Sequence, residues 1–283
     1  MVKAGSAREP NQRIAAPAPR AERIGDPERW RSVERELLLV SSLVLIAIWL
    51  PPIIFSGDQV QHFPLPSWGL KLQKEGYYTY RVFEFVLGVI AATIVVRSLC
   101  LELGAARPED FLTARPWKKM GRWIWARVAK NFWAAFRLLA PPTIGAILIF
   151  VSMGAALHSL DLGADRFWKK LLPDIFAGQL AQQVLVQFYF HRRAMQLFGR
   201  GWRSIAWVAA YFALIHLPNP ALTIGTAFAM TLWAWVYQRA PNIVAIAISH
   251  CLLSAFLWHT LPLAWHPTLK VGYRFLEASG WWK

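Results

Sequence analysis

Two histidines, His216 and His250, and a set of glutamines at Gln179, Gln182, Gln183 and Gln187 are the side chains of this sequence whose type and spacing best suit chemistry. All lie in stretches apolar enough to sit in a membrane, where a polar group is costly and needs partners or a task. An α-helix turns about 100° per residue. Gln179, Gln183 and Gln187 therefore fall within about 80° of arc, with Gln182 beside them, and one face of that helix is expected to point into a bundle. Phe212 and His216 are one turn apart, as are His250 and Ser254. Two imidazoles, a hydroxyl and a carboxamide face are thus expected to converge on one cavity. An imidazole titrates near neutrality and can move a proton, whereas a carboxamide cannot. Plain interhelical hydrogen bonding, at about 0.6–2 kcal/mol per bond, accounts for any one of these residues taken alone. The two histidines together favour a site, because histidine is rare in spans and usually functional there. Two histidines without a third His, a Cys or a carboxylate leave a zinc set incomplete, so neither metal nor other cofactor is expected.

The elements that must position these residues follow from composition. The 283 residues are 56% hydrophobic and 17% charged, with 16 Trp. Soluble domains carry about 25% charged residues, and Trp concentrates at membrane–water interfaces. The net charge of +15 comes from Lys and Arg placed between apolar runs. That is the positive-inside pattern rather than a nucleic-acid stripe, so lipid and not nucleic acid is the expected partner. The two cysteines, Cys100 and Cys251, both lie in apolar runs and offer no CxxC pair.

Seven spans are expected: Leu37–Phe55, Tyr80–Leu101, Ala140–His158, Leu171–Phe190, Ile205–Leu217, Ala221–Tyr237 and Asn242–Leu261. Arg81 and Glu84 in the second are one turn apart and expected to pair. Between the second and third, Arg115, Lys118, Lys119, Arg122, Arg127, Lys130 and Arg137 alternate with Trp117, Trp123, Trp125, Phe132 and Trp133. A basic helix with a Trp/Phe face is expected to lie flat on an anionic leaflet. The fold class is therefore all-α, a polytopic transmembrane bundle of about seven spans with an interfacial amphipathic helix. Its expected organisation is a disordered basic tail at 1–35, two spans and the interfacial helix at 36–139, a membrane core at 140–262, and an interfacial C-terminal tail at 263–283. The 191–203 loop, with His191, Arg192, Arg193, Arg200 and Arg203, joins the other basic segments on one side. The N-terminus is then cytoplasmic and the C-terminus outside.

The order FALIH (Phe212–His216) then HCLLS (His250–Ser254), preceded by QQVLVQ (Gln182–Gln187), resembles the CPBP family of CAAX prenyl endopeptidases and bacteriocin-processing (Abi) intramembrane proteins. That family shows EExxxR, FxxxH and HxxxN or HxxxD on successive helices. The resemblance covers about a third of the chain. It implies a membrane-embedded endopeptidase in a bacterial inner membrane, acting on a membrane-anchored or prenylated peptide. Carried over by position, Gln182 and Gln183 replace the two glutamates, Gln187 replaces the arginine, His216 and His250 keep the histidine roles, and Ser254 stands at the oxyanion donor. A carboxamide takes no proton from water, a contribution worth about 10²–10⁴ in rate. The resemblance therefore implies a protease with altered or lost catalysis, or a non-catalytic relative that binds membrane peptides or lipids as scaffold or chaperone.

Overall fold

A computed structural model of the 283-residue chain describes residues 27–55, 86–90, 92–97, 118, 121–122, 125, 129–163, 178–262, 271 and 275. Every regular element among the described residues is helical, and no strand occurs among them. The elements are α1 (Pro27–Phe55), α2 (Phe132–Ala156), α3 (Leu180–Gln183), a π-helical stretch (Val184–His191), α4 (Arg192–Phe198), α5 (Trp202–Leu214), α6 (Pro220–Arg239) and α7 (Ile243–Thr260). Residues 57–78, the Arg81–Glu84 pair, Cys100, most of the basic 102–137 segment, the first turns of the fourth expected span and most of the 263–283 tail lie outside the described residues.

Helix boundaries depart from the sequence expectation where capping chemistry intervenes. α1 starts at Pro27, so residues expected in a disordered tail are helical. Proline with its fixed φ suits a first helical position, and Glu28 in the first turn complements the helix dipole. α2 starts at Phe132, directly after Asn131 in the left-handed region (φ 60°), and carries Pro141 and Pro142 inside it rather than at its mouth. Its first turns are held by an aromatic ladder of Phe132, Trp133 and Phe136, with ring centroids 5.4–6.1 Å apart. α5 ends at Leu214, so His216 sits in the turn beyond the helix rather than within a span.

α6 and α7 each start at a capping asparagine. Asn219 Oδ1 accepts from Leu222 N (3.1 Å), with Pro220 at the first helical position. Asn242 Oδ1 accepts from Ala245 N (2.8 Å), while its Nδ2 donates to the Lys130 carbonyl (2.9 Å) and ties the start of α7 to the approach to α2. An asparagine oxygen that satisfies an orphan helix N–H contributes about 1 kcal/mol.

α2 and α7 are long and apolar enough to cross a membrane. Only 17% of the most apolar window of α2 is buried within the protein. Ile144, Leu148 and Ile149 of α2 are each more than half exposed. The core helix of a soluble protein buries such side chains, and a contiguous exposed apolar face marks a membrane or partner surface. α2 packs along α7 and α5 along α6. Gly154 on α2 meets the backbone carbonyl of Thr260 at the end of α7, so closely that a Cβ there would collide with it. Small residues allow this kind of approach between membrane helices.

The core is formed by Leu37 and Val40 of α1, Phe188, Tyr189 and Phe190 of the π-helical stretch, Met230 and Trp233 of α6, and Ile243 and Ile246 of α7. α1 is fastened to this core by one carboxylate. Glu36 Oε1 accepts from the Tyr189 hydroxyl (2.9 Å) and from Arg193 Nε (3.1 Å). Burial works to lower the Arg193 guanidinium below its ordinary value, and Glu36 works in the opposite direction.

Candidate functional site

The polar centre is built on the segment from α3 through the π-helical stretch. Gln183, Gln187 and His191 are spaced by four, and all three are fully buried. Residues spaced by four lie about one turn apart and share one face of a helix. π-helical turns cluster at functional sites. Here Gln187 and His191 lie in the π-helical stretch and Gln183 at the end of α3 just before it, and the three side chains form one row.

The row is hydrogen-bonded end to end. His191 Nδ1 lies 2.8 Å from Gln187 Oε1, Gln187 Nε2 donates to Gln183 Oε1 at 3.2 Å, and Gln183 Nε2 lies 3.0 Å from His250 Nδ1 on α7. At the other end Gln238 Nε2 lies 3.0 Å from His191 Nε2 and also donates to Ser204 Oγ at 3.0 Å. Gln238 Oε1 accepts from the backbone N–H of Gly201 at 2.9 Å, and Ser204 Oγ donates to the Gly201 carbonyl. Gln187 Nε2 also approaches Met230 Sδ at 3.6 Å. No carboxylate takes part in this chain. A hydrogen-bonded set of amides and imidazoles without a carboxylate is a form of polar network that an apolar interior tolerates well.

The His250 ring is held on its faces as well. Its centroid lies 4.4 Å from that of Trp233, and Trp233 Nε1 donates to Ser249 Oγ (3.1 Å), which in turn is 2.8 Å from Thr143 Oγ1 of α2. Phe212 stands between the two histidines, 4.7 Å from His216 and 6.2 Å from His250, centroid to centroid. His216 is half-buried, and its Nδ1 lies 2.6 Å from the Phe212 carbonyl oxygen. A carbonyl only accepts, so Nδ1 carries the proton and Nε2 of the neutral ring is bare.

The sequence-derived site residues thus separate. His216 and His250 both meet Phe212, while Trp233 and Gln183 meet His250. Gln182, placed in the glutamate's role, is exposed, and Gln183 makes the bond to His250 instead. The reason is helical phase: Gln183 and not Gln182 is in line with Gln187 and His191. Ser254 is half-buried one turn beyond His250 and joins none of these hydrogen bonds. Sequence reasoning missed Trp233, Gln238 and the role of His191. His191 stands next to Arg192 and Arg193 and so reads as part of a basic loop, yet it is buried within the row. Its four-residue step from Gln187 was the signal. Among the described residues no cluster of three or more His, Cys, Asp or Glu is positioned to hold a metal ion.

No protein-family model matches the chain, and neither does any curated protein or any solved structure.

Proposed function

We propose that this chain is a polytopic membrane protein of about seven spans, CPBP-like in layout, that binds a membrane-embedded peptide at the His216–His250 centre without cleaving it by the carboxylate mechanism of that family. The observation that carries this reading is the Gln183–His250 bond, which puts a carboxamide where a water-activating carboxylate is needed. The glutamines of the row are committed to one another and to the histidines, so none of them is placed to take a proton. A bare His216 Nε2 and the second ring nitrogen of His250, both beside Phe212, suit the donor and acceptor of a peptide unit. In a lipid interior an extended or unwound segment needs such partners for its backbone groups. The surroundings are lipid, the N-terminus is cytoplasmic by the distribution of Lys and Arg, and a bacterial inner membrane fits the CPBP resemblance.

The test is co-purification of the full chain from its own membranes in mild detergent. Intact membrane peptides are expected with the wild type and strongly depleted with His216→Ala or His250→Ala. Equal recovery from all three proteins sinks the proposal.

A second reading has one observation in its favour. The Phe212 carbonyl holds the His216 Nδ1–H and leaves Nε2 free as a general base, the arrangement that a hydrolase using histidine alone would need. Processing that depends on His216 while Gln183→Ala leaves it intact would favour this reading over binding.

A further inference from the structure

The hydrogen-bond chain has a direction, and one backbone amide fixes it. We propose that Gln238 and His191 are positioning residues that set the tautomer of His250, so that this ring presents its Nε2–H to the site. Each carboxamide offers an acceptor on one side and a donor on the other, and each neutral imidazole offers one bare nitrogen and one N–H. A row of such groups has two self-consistent arrangements, one the reverse of the other, and every member must reverse together. The Gly201 N–H can only donate. Gln238 Oε1 must therefore face it, which turns Gln238 Nε2 toward His191. His191 Nε2 then accepts, so Nδ1 carries the proton and donates to Gln187 Oε1. Gln187 Nε2 donates to Gln183 Oε1, and Gln183 Nε2 donates to His250 Nδ1. His250 Nδ1 is bare, and its proton is on Nε2.

The fixed end is itself well held. Gly201 adopts φ 128°, a conformation side-chain-bearing residues rarely take, and caps the start of α5. Arg200 donates to the Gln238 backbone carbonyl beside it, and Ser204 accepts the second Gln238 N–H. Two amides in the row make it a poor proton wire, so it transmits orientation and not protons. The consequence at the site is complementary: His250 is a donor at Nε2, and His216, set independently by the Phe212 carbonyl, is an acceptor at Nε2. This inference rests on the peptide-binding reading for its use, but its test needs no peptide.

The test is ¹⁵N NMR of the full chain labelled at histidine in lipid nanodiscs, which distinguishes protonated from bare ring nitrogens. In the wild type, His250 is expected as Nε2–H, and His191 and His216 as Nδ1–H. Gln238→Glu at pH 8 keeps the acceptor for Gly201 but removes the donor to His191. His191 is then expected to become Nε2–H and, by reversal of both glutamines, His250 to become Nδ1–H, with His216 unchanged. Gln238→Met removes both ends of the pin, and both His250 forms are expected together. Finding His250 as Nδ1–H in the wild type overturns the proposal without any variant. So does a His250 that stays Nε2–H in both Gln238→Glu and Gln238→Met.

Discussion

Replacing Gln187 with leucine tests whether the buried row is a structural necessity. The two side chains are similar in size, so no cavity term confuses the result. Gln187 is fully buried, and its loss strands the His191 Nδ1–H and the Gln183 Oε1 that it satisfied at 2.8 and 3.2 Å. His191 has no easy escape, because shifting its proton to Nε2 sets it against the Gln238 N–H. A stranded buried donor or acceptor costs about 1–3 kcal/mol, so the two together cost about 2–6 kcal/mol. Bonds between membrane helices average about 0.6 kcal/mol, and two such terms would come to about 1 kcal/mol. The higher range is favoured here because neither stranded atom can reach water. Against a total stability of about 5–15 kcal/mol, the loss is large. Denaturant unfolding in detergent, followed by the fluorescence of the 16 Trp, measures it. Adding His191→Phe removes the stranded N–H and leaves Gln238 its bond to Ser204. The double variant should therefore lose less than the sum of the two single losses, by about 1 kcal/mol or more. Gln187→Leu within about 0.5 kcal/mol of wild type, the level of an ordinary surface substitution, would refute the reasoning, as would strict additivity with His191→Phe.

Two further outcomes follow from packing. Glu36→Gln replaces the carboxylate shared by Arg193 and Tyr189 with a neutral acceptor and weakens both bonds; hydrogen bonds to charged groups contribute about 1.5–3 kcal/mol, and protease susceptibility of α1 should rise before global unfolding. Gly154→Leu forces α2 away from the Thr260 carbonyl. Overpacking of this kind costs about 1–3 kcal/mol, and a cysteine pair placed across α2 and α7 should cross-link less readily in that variant.

The helices were legible in the sequence because their apolar runs are long and bounded by polar or basic segments. The expected spans at 140–158, 221–237 and 242–261 overlap α2, α6 and α7, and the asparagines before α6 and α7 cap them. The boundaries at Pro27 and Phe132 were not legible, because the aromatic ladder and the α1–Arg193 ion pair depend on contacts that form only in the fold. The polar face of the glutamine helix was legible as a four-residue spacing. That spacing already puts Gln183, and not Gln182, in line with Gln179 and Gln187; the bond from Gln183 to His250 depends on how α7 packs against this face, which residue types do not show. Gln238 and His191 were hidden for a related reason. Each stands beside arginines, which read as solvated loop, and it is the packing of α6 on the π-helical stretch that brings them together.

The central claim is that the His216–His250 centre holds a peptide and leaves it whole. Mass-spectrometric mapping of protein termini in membranes from cells carrying the wild type or His216→Ala tests it most directly. The same termini are expected in both. New termini within membrane segments that appear with the wild type and vanish with His216→Ala would contradict it.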